Sequence, residues 1–425
     1  MKRHISQRML SRRQFLQVMS AAAAGMVAAG CQPAPEPTLT PAPPSEPTLP
    51  PIPTATSTPV LPASPTPEPM RSPTPQPETP EVTAHEVTAQ GVTATSTASV
   101  PWNPQAQVAI GQQTDYTPKA LRERLHKMLE DLGGLADIVP SGARVALKVN
   151  LTGGIFAYQL GGIPAIESIA THPAVVAALG ELLIDAGAKE LFIVEAVHEW
   201  QSYVDWGYED IARSLNATLI DLNDIQPYPS FTTIPVGPGA LIYPEFTVNP
   251  ILQEVDTFIS VAKMKCHIEC GVTHAMKNLV GMVPYRLYQT NSTDGMRSTF
   301  HVDSKSRLPR IVVDLNMARP IHLAVIDGIQ TIEAGEGSWA LGAKQVTPGL
   351  LFAGKNALAT DSVATMVMGF DPTVRYPSTP FNRADNYLNI AYNLGLGTNL
   401  PEEMEIFGLS IQDVLYPFAP ATGYQ

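Results

Sequence analysis

The chain has 425 residues and a net charge of −12, and it contains only three cysteines. An acidic chain does not suit a nucleic-acid backbone, which is bound by clustered lysine and arginine, so no nucleic acid is expected as a partner. Three cysteines are too few for a disulfide-stapled scaffold. A chain of this length can bury a core without such staples.

The first thirty residues have the layout of an export signal. They carry five positive charges and no acidic residue, and an apolar run follows at 18–29 that is too short to span a membrane comfortably. Segment 11–16 (SRRQFL) resembles the twin-arginine export motif, and segment 28–31 (AAGC) resembles a lipobox. We therefore expect 1–30 to be a signal peptide. Lipidated Cys31 would then hold the protein in the bilayer, on the outer side of the cytoplasmic membrane.

A proline-rich segment follows this predicted lipid anchor. Residues 33–80 hold 19 of the 41 prolines, mixed with threonine, serine and alanine. Such a segment lacks the apolar residues that offset the entropic cost of ordering a chain. The composition predicts a disordered linker over 31–104, which would act as a stalk for a folded domain at 105–425.

Short apolar runs alternate with helical patterns along 105–425. Runs of β-branched residues alternating with helices predict an α/β domain with a mainly parallel sheet flanked by helices. The predicted strands are 144–149, 191–194, 218–220, 257–262, 322–326 and 349–353. The predicted helices are 173–186, 208–215, 272–280, 308–318 and 356–368.

Ligand sites in open parallel sheets form beyond the carboxyl ends of the strands. Polar residues follow several predicted strands at this point, namely Asn150, Glu195, Lys263 to His267, and Asp327. Asp327 is expected to close a strand and to share a cavity wall with the polar residues of the following segments.

The densest group of reactive side chains lies at 263–281, after the predicted strand at 257–262. On a helical wheel one face of this segment is apolar and the other is polar. The polar face holds Cys266, His267, Cys270, Thr273, His274, Lys277 and Asn278. Thiol and imidazole groups bind soft or borderline transition metals, so His267, Cys266 and Cys270 form a candidate metal site. Three alternatives stay open for the cysteines: buried apolar residues, a local disulfide, or unpaired thiols.

Lys277 and Asn278 suggest a second kind of chemistry. A lysine beside histidines can hold an anionic ligand or form a covalent adduct, and the alternative is a solvated surface lysine. His301 lies in a polar loop over 290–307 that could close over a pocket. Asp361 falls in the first turn of a predicted helix, where it is as readily structural as ligand-binding.

An ordered set of residues along 105–425 resembles the family known as domain of unknown function 362. The set comprises Lys148, Asn150, His172, Lys265, His267, Thr273, Lys277, Asn278, Gly281, His301, Asp314, Asp327 and Asp361. The chain departs from the family pattern at Cys266, where threonine is usual, so a thiol ligand there is not a family trait. The resemblance leaves the activity unsettled.

The ten-residue interval between His267 and Lys277 is also similar to a stretch of the nickel-pincer lactate racemases. The lysine of that stretch tethers their cofactor. This similarity implies a cofactor-dependent enzyme. The cofactor itself stays unidentified, with a transition metal and a metal-bearing cofactor as candidates.

Three hypotheses follow. The first is an extracytoplasmic enzyme, dependent on a cofactor or metal, that acts on a small anionic ligand. Its catalytic candidates are His267, Lys277 and Asp327. Its ligand-binding candidates are Lys148, Asn150, Lys265, Thr273, Asn278, His301 and Asp361. The second is a non-catalytic lipoprotein that binds a solute or a protein partner. The third is a structural surface protein in which the stalk matters most.

Overall fold

The computed structural model describes residues 105–154, 160, 162–290 and 297–424. The predicted signal peptide, Cys31 and the predicted linker lie outside the described residues. Within the described part, no helix has the length and apolar character needed to cross a membrane.

Strands and helices alternate along the described chain. The strands are β1 (Gln107–Gln112), β2 (Arg144–Lys148), β3 (Glu190–Glu195), β4 (Thr218–Asp221), β5 (Thr232–Pro235), β6 (Glu245–Val248), β7 (Thr257–His267), β8 (Gly271–Thr273), β9 (Leu323–Glu333), β10 (Lys344–Val346), β11 (Leu350–Gly354) and β12 (Glu405–Gly408). The α-helices are α1 (Pro118–Asp131), α2 (Ala165–Ser168), α3 (Pro173–Asp185), α4 (Gln201–Asp205), α5 (Tyr208–Leu215), α6 (Ile251–Glu254), α7 (Ser298–His301), α8 (Arg307–Ala318), α9 (Ala357–Val367) and α10 (Tyr387–Asn393). Short 3-10 helices cover Lys277–Met282, Tyr285–Tyr288 and Pro401–Glu403.

One sheet organises the domain, with the strand order β12-β1-β11-β9-β7-β2-β3-β4. The central strands β9, β7, β2, β3 and β4 run parallel to one another. Strands β10 and β11 pair antiparallel with β9, and β8 folds back antiparallel on β7. This architecture confirms the predicted α/β class with a mainly parallel sheet flanked by helices.

Apolar side chains cover both faces of the sheet. Successive residues of a strand point to opposite faces, so β2 sends Ala146 into one core and Val145 and Leu147 into the other. Helices α8 and α9 pack on the first core, and α1, α3 and α5 pack on the second. With both faces covered, the polar ends of the strands are the natural place for a site.

Local sequence explains α3 well. Pro173 occupies its first turn, where a missing N–H costs nothing, and the side chain of His172 accepts a hydrogen bond from the Ala174 N–H at 3.2 Å. The predicted helix at 173–186 therefore agrees with the structure, as does the helix predicted at 208–215.

Two predicted elements are wrong. The helix predicted at 272–280 is instead β8 followed by the 3-10 helix Lys277–Met282. Strand β9 continues to Glu333, so Asp327 lies within a strand rather than closing one. Strand β8 forms because 271–273 pair antiparallel with the end of β7, and β9 extends past Asp327 because its later residues pair with β7 and β10. In both places pairing with distant residues outweighs the local pattern.

Candidate functional site

A buried ion pair lies at the carboxyl end of β2. Lys148 Nζ is 2.9 Å from Glu195 Oε1 at the end of the neighbouring strand β3, and Lys148 is fully buried. Burial lowers the pKa of Lys148, and the charge of Glu195 opposes that shift. Gly281 lies directly against the pair, because a Cβ there would be 2.2 Å from Glu195 Oε1 and 2.8 Å from Lys148 Nζ. Only glycine leaves room for the pair.

The Asn278 amide ties this pair to the sheet. Its Nδ2 donates to the Lys148 carbonyl and to Ser260 Oγ, each at 3.0 Å. Its Oδ1 accepts from Asn150 Nδ2 at 3.0 Å and from Lys148 Nζ at 3.2 Å. All four hydrogen-bonding positions of the amide are used, which fixes its orientation. Asn278 thereby positions Lys277, the residue before it.

Asp361 anchors the turn that leads into Lys277. Its carboxylate accepts hydrogen bonds from the backbone N–H groups of Ala275 at 2.8 Å and Met276 at 3.0 Å. Burial raises the pKa of Asp361 to about 7, and these two N–H groups oppose the rise. The helix cap is Asn356, so Asp361 lies beyond the first turn in which the sequence placed it. Its contacts are those of a positioning residue.

A second buried ion pair lies on β7 and β9. Lys263 Nζ is 2.9 Å from Asp327 Oδ2, and both side chains are fully buried. The Asp327 carboxylate also accepts from Tyr116 Oη at 3.2 Å and from the backbone N–H groups of His172 and Ile329, each at 3.1 Å. These contacts satisfy the carboxylate. Asp327, predicted as catalytic, therefore has the surroundings of a structural group.

Lys265 is a buried amine without a carboxylate partner in the described part of the chain. Its Nζ donates to the Ile169 carbonyl at 2.8 Å. Burial, reinforced by the positive charge of Lys277, lowers the pKa of Lys265 to about 7. Thr273 lies opposite Lys265 in the β7–β8 ladder, and its buried hydroxyl has no hydrogen-bond partner among the described residues. An amine with this pKa can act as a base or nucleophile near neutral pH.

His267 lies within electrostatic reach of both Lys277 and His301. Burial, with the charges of Lys277 and His301, lowers the pKa of His267 well below its usual range. His267 Nδ1 accepts from the Glu269 N–H at 3.0 Å, which leaves its proton on Nε2. His301 Nδ1 contacts the Glu269 carboxylate, so its Nε2 remains available to a ligand.

A cleft of 130 Å³ opens beside the Lys148–Glu195 pair. It is lined by Asn150, Leu151, Thr152, Glu195, Ala196, His198, Lys277, Asn278, Val280, Gly281 and Arg297. The structure thus brings Asn150, Lys277 and Asn278 to one cavity wall. Lys148 lies directly behind that wall in its ion pair with Glu195.

Two cations of this cleft lack a carboxylate partner among the described residues. Lys277 is half-buried, and its amine makes no hydrogen bond or ion pair there. Arg297 Nε donates to the Val283 carbonyl at 2.8 Å, whereas its buried Nη2 has no partner. Burial lowers the pKa of Lys277, and it lowers the pKa of Arg297 to about 10. Unpaired buried charge is costly, so an anion in the cleft would stabilise both groups.

The predicted metal site of His267, Cys266 and Cys270 does not form. Cys266 Sγ lies 3.4 Å from the Ala419 carbonyl in the apolar core, because alternation along β7 points it away from His267. Cys270 is buried in the same core, and burial raises the pKa of both thiols to about 12. Both are free cysteines, not a disulfide. Over the described ranges, no group of three or more His, Cys, Asp or Glu residues could hold a metal ion.

Sequence reasoning missed Glu269, Arg297 and Glu336. Glu336 accepts from the Ile268 N–H at 3.0 Å and its charge acts on Lys277. A signal for Glu269 was present, because the polar residues 263, 265, 267 and 269 alternate with other residues at the period of a strand. Arg297 and Glu336 reach the site from loops, and no local pattern marks them.

Two solved structures are similar to part of the chain. A protein from Thermotoga maritima shares 14% identity at a TM-score of 0.30 and covers 53% of this chain and 54% of its own. The lactate racemase apoprotein from Thermoanaerobacterium thermosaccharolyticum shares 11% identity at a TM-score of 0.39 and covers 62% of this chain and 57% of its own. The chain spans little more than half the length of these structures. At such TM-scores neither likeness bears on cofactor or reaction.

Sequence relatives cover more of the chain. A thylakoid-associated protein of Synechocystis sp. is 26% identical over 321 residues, which is 73% of this chain and 89% of that protein. The family model for a domain of unknown function, DUF362, matches residues 145–366, just over half of the chain and most of the strands that position the cleft. The chain therefore belongs to the DUF362 family.

Proposed function

We propose that this protein binds a small anionic ligand in the cleft lined by Lys277 and Arg297. One observation carries the proposal: both cations lack a carboxylate partner in the described part of the chain. The neighbouring lysines Lys148 and Lys263, by contrast, each lie 2.9 Å from a carboxylate oxygen. Charged donors bind anions through short, strong hydrogen bonds, and such bonds would satisfy the two unpaired groups.

The size of the cleft limits the ligand. Its 130 Å³ corresponds to about four water molecules at ~30 Å³ each, below the ~300–1,000 Å³ of sites that enclose a whole organic ligand. The occupant is then an inorganic anion, or the carboxylate or phosphate group of a larger molecule that extends out of the cleft.

Catalysis on such a ligand is a second candidate, favoured by the Lys265 amine. With its pKa lowered to about 7, Lys265 would act as a base only once a ligand gained access to it, because its amine is fully buried and does not line the cleft. His301, held by Glu269, would move a proton at its Nε2. Lys277 would hold the anion, and a cofactor-dependent reaction remains part of this proposal. In the non-catalytic alternative the same groups only bind and position a solute.

The proposal also assigns the protein to the outer side of the cytoplasmic membrane, where lipidated Cys31 would anchor it. Its support is the charged head, the short apolar run and the lipobox-like segment at 28–31. A Cys31→Ser chain should leave the membrane fraction. Continued membrane association of that variant would contradict the anchor.

Isothermal titration calorimetry of the full chain with sulfate and oxalate tests the anion site. Lys277→Met removes the charge and keeps the length of the side chain. We expect at least about tenfold weaker binding, because a hydrogen bond to a charged group contributes about 1.5–3 kcal/mol. The matched control is Lys119→Met, because Lys119 has an 86% exposed side chain. The proposal fails if the wild type binds neither anion, or if Lys277→Met binds them as tightly.

A further inference from the structure

A larger cavity of 520 Å³ lies between α8, α10 and the loops at 371–376 and 399–400. It shares no lining residue with the anion cleft beside β2. Its volume falls within the ~300–1,000 Å³ range of sites that enclose small organic ligands. None of the site residues predicted from the sequence lines it, so its role is a separate question.

One face of α10 supplies amides to this cavity. Asn389 and Asn393 follow the cap residue Asn386 at intervals of three and four residues, which places all three on one side of the helix. Leu388 and Ala391 are buried in the apolar core. The helix is therefore apolar toward the core and rich in amides toward the cavity.

The amides build a fixed wall. Asn399 Nδ2 donates to the Pro372 carbonyl at 3.2 Å and to Asn389 Oδ1 at 2.7 Å. Asn389 Nδ2 in turn donates to the Thr373 carbonyl at 3.1 Å. These acceptors set the orientation of the Asn399 amide. Its Oδ1 is left buried, with no hydrogen-bond partner in the described part of the chain. Asn399 therefore braces the cavity wall, and its own amide is turned inward, away from the cavity.

The charged side chains that line the cavity, Arg310, Arg375 and Asp385, carry a net positive charge. Arg310 is paired with Asp385 at 2.7 Å, whereas Arg375 is exposed and makes no ion pair among the described residues. The exposed Asn393 amide and the Tyr392 hydroxyl likewise have no hydrogen-bond partner there. The cavity lining therefore includes one unpaired guanidinium, one unused amide and one unused hydroxyl, within a chain whose net charge is −12.

We propose that this cavity binds an acidic saccharide of one or two rings. Its carboxylate would pair with Arg375, since a guanidinium fork matches a carboxylate in a bidentate manner. Its hydroxyls would bind the amide of Asn393 and the hydroxyl of Tyr392, because an amide both donates and accepts. A simple anion would leave the Asn393 amide and the Tyr392 hydroxyl unused, and a neutral sugar would leave Arg375 unpaired. The site does not depend on the anion cleft.

Isothermal titration calorimetry of the full chain with glucuronate, glucose and acetate tests this site. We expect glucuronate to bind, with glucose and acetate each at least about tenfold weaker. Arg375→Ala and Asn393→Ala should each weaken glucuronate binding by about fivefold or more, and both positions are exposed, so the fold should be unaffected. Arg213→Ala, at an exposed arginine of α5, is the matched control and should bind normally.

Lys277→Met separates this site from the anion cleft, because it should bind glucuronate like the wild type. The proposal is overturned if glucuronate does not bind, or if acetate binds as tightly. It is also overturned if neither Arg375→Ala nor Asn393→Ala weakens glucuronate binding.

Discussion

Two pairs of lysines lie at the same edge of the sheet and differ in their partners. Lys148 and Lys263 are fully buried, and each lies 2.9 Å from a carboxylate oxygen. Lys265 and Lys277 have no carboxylate partner among the described residues. Burial lowers the pKa of all four amines, so burial alone does not distinguish them.

The presence or absence of a carboxylate partner distinguishes lysines that stabilise the fold from lysines that can bind a ligand. A buried lysine and its carboxylate neutralise each other. Removing one partner leaves a charge that the protein interior cannot solvate. A lysine without such a partner weakens the fold when charged, and groups with shifted pKa values of this kind cluster at functional sites. Substitutions in the paired set should therefore act on stability, and substitutions in the unpaired set on ligand binding.

The largest effect is expected at Asp327. Asp327→Ala leaves the Lys263 charge buried without compensation and should lower the free energy of unfolding by about 3–5 kcal/mol. Chemical denaturation measures this loss. The matched control is Asp210→Ala, which breaks an exposed pair with Arg213 and should cost less than about 1 kcal/mol. If Asp327→Ala loses as little unfolding free energy as Asp210→Ala, the buried pair does not stabilise the fold as the comparison of the lysines requires. Adding Lys263→Met to Asp327→Ala should restore part of the stability.

His274 extends the comparison to a buried base that has no side-chain partner among the described residues. It is fully buried, and within the described ranges neither ring nitrogen has a hydrogen-bond partner. Burial lowers its pKa from 6.5 to about 3, and the Thr273 backbone opposes that shift only in part. As the pH falls below 6.5, His274 binds a proton in the unfolded chain but stays neutral in the folded chain. Stability should therefore decline from pH 6.5 toward pH 3, by up to about 1.4 kcal/mol per pH unit from this group.

His274→Leu should make that acid decline less steep, and unfolding free energies measured between pH 7 and pH 4 report the slope. The matched control is His126→Leu, at an exposed position of α1, which should keep the wild-type slope. An unchanged slope in His274→Leu would mean that the imidazole is not held neutral by burial.

Elements with complete local signals could be predicted from sequence. Helix α3 has its cap at His172, a proline at position 173 and a continuous apolar face, and the prediction at 173–186 agrees with the structure. Strand β1 has no such signal. It is held between β11 and β12, whose residues lie more than 200 positions away in the chain, so its existence depends on tertiary pairing.

The candidate site, too, could be predicted only where local sequence determines the structure. Sequence drew attention to Lys277 and Asn278, and the structure places both on the wall of one cleft. The sequence does not distinguish a helix from a strand over 263–273, because the spacing of its polar residues fits both. Pairing with β9 selects the strand. Arg297 completes the cleft from a loop, where position is set by packing rather than by local pattern.

The pH dependence of sulfate affinity tests the central claim most directly. Burial lowers the pKa of Lys277 below the usual 10.5, so the wild type should bind sulfate more weakly as pH rises through that lowered value. In Lys277→Arg the charge persists, and the fall should be smaller, with the remainder due to Lys265 at about 7. Sulfate affinity that is constant with pH in the wild type, or that falls equally in both proteins, would contradict an anion held by Lys277.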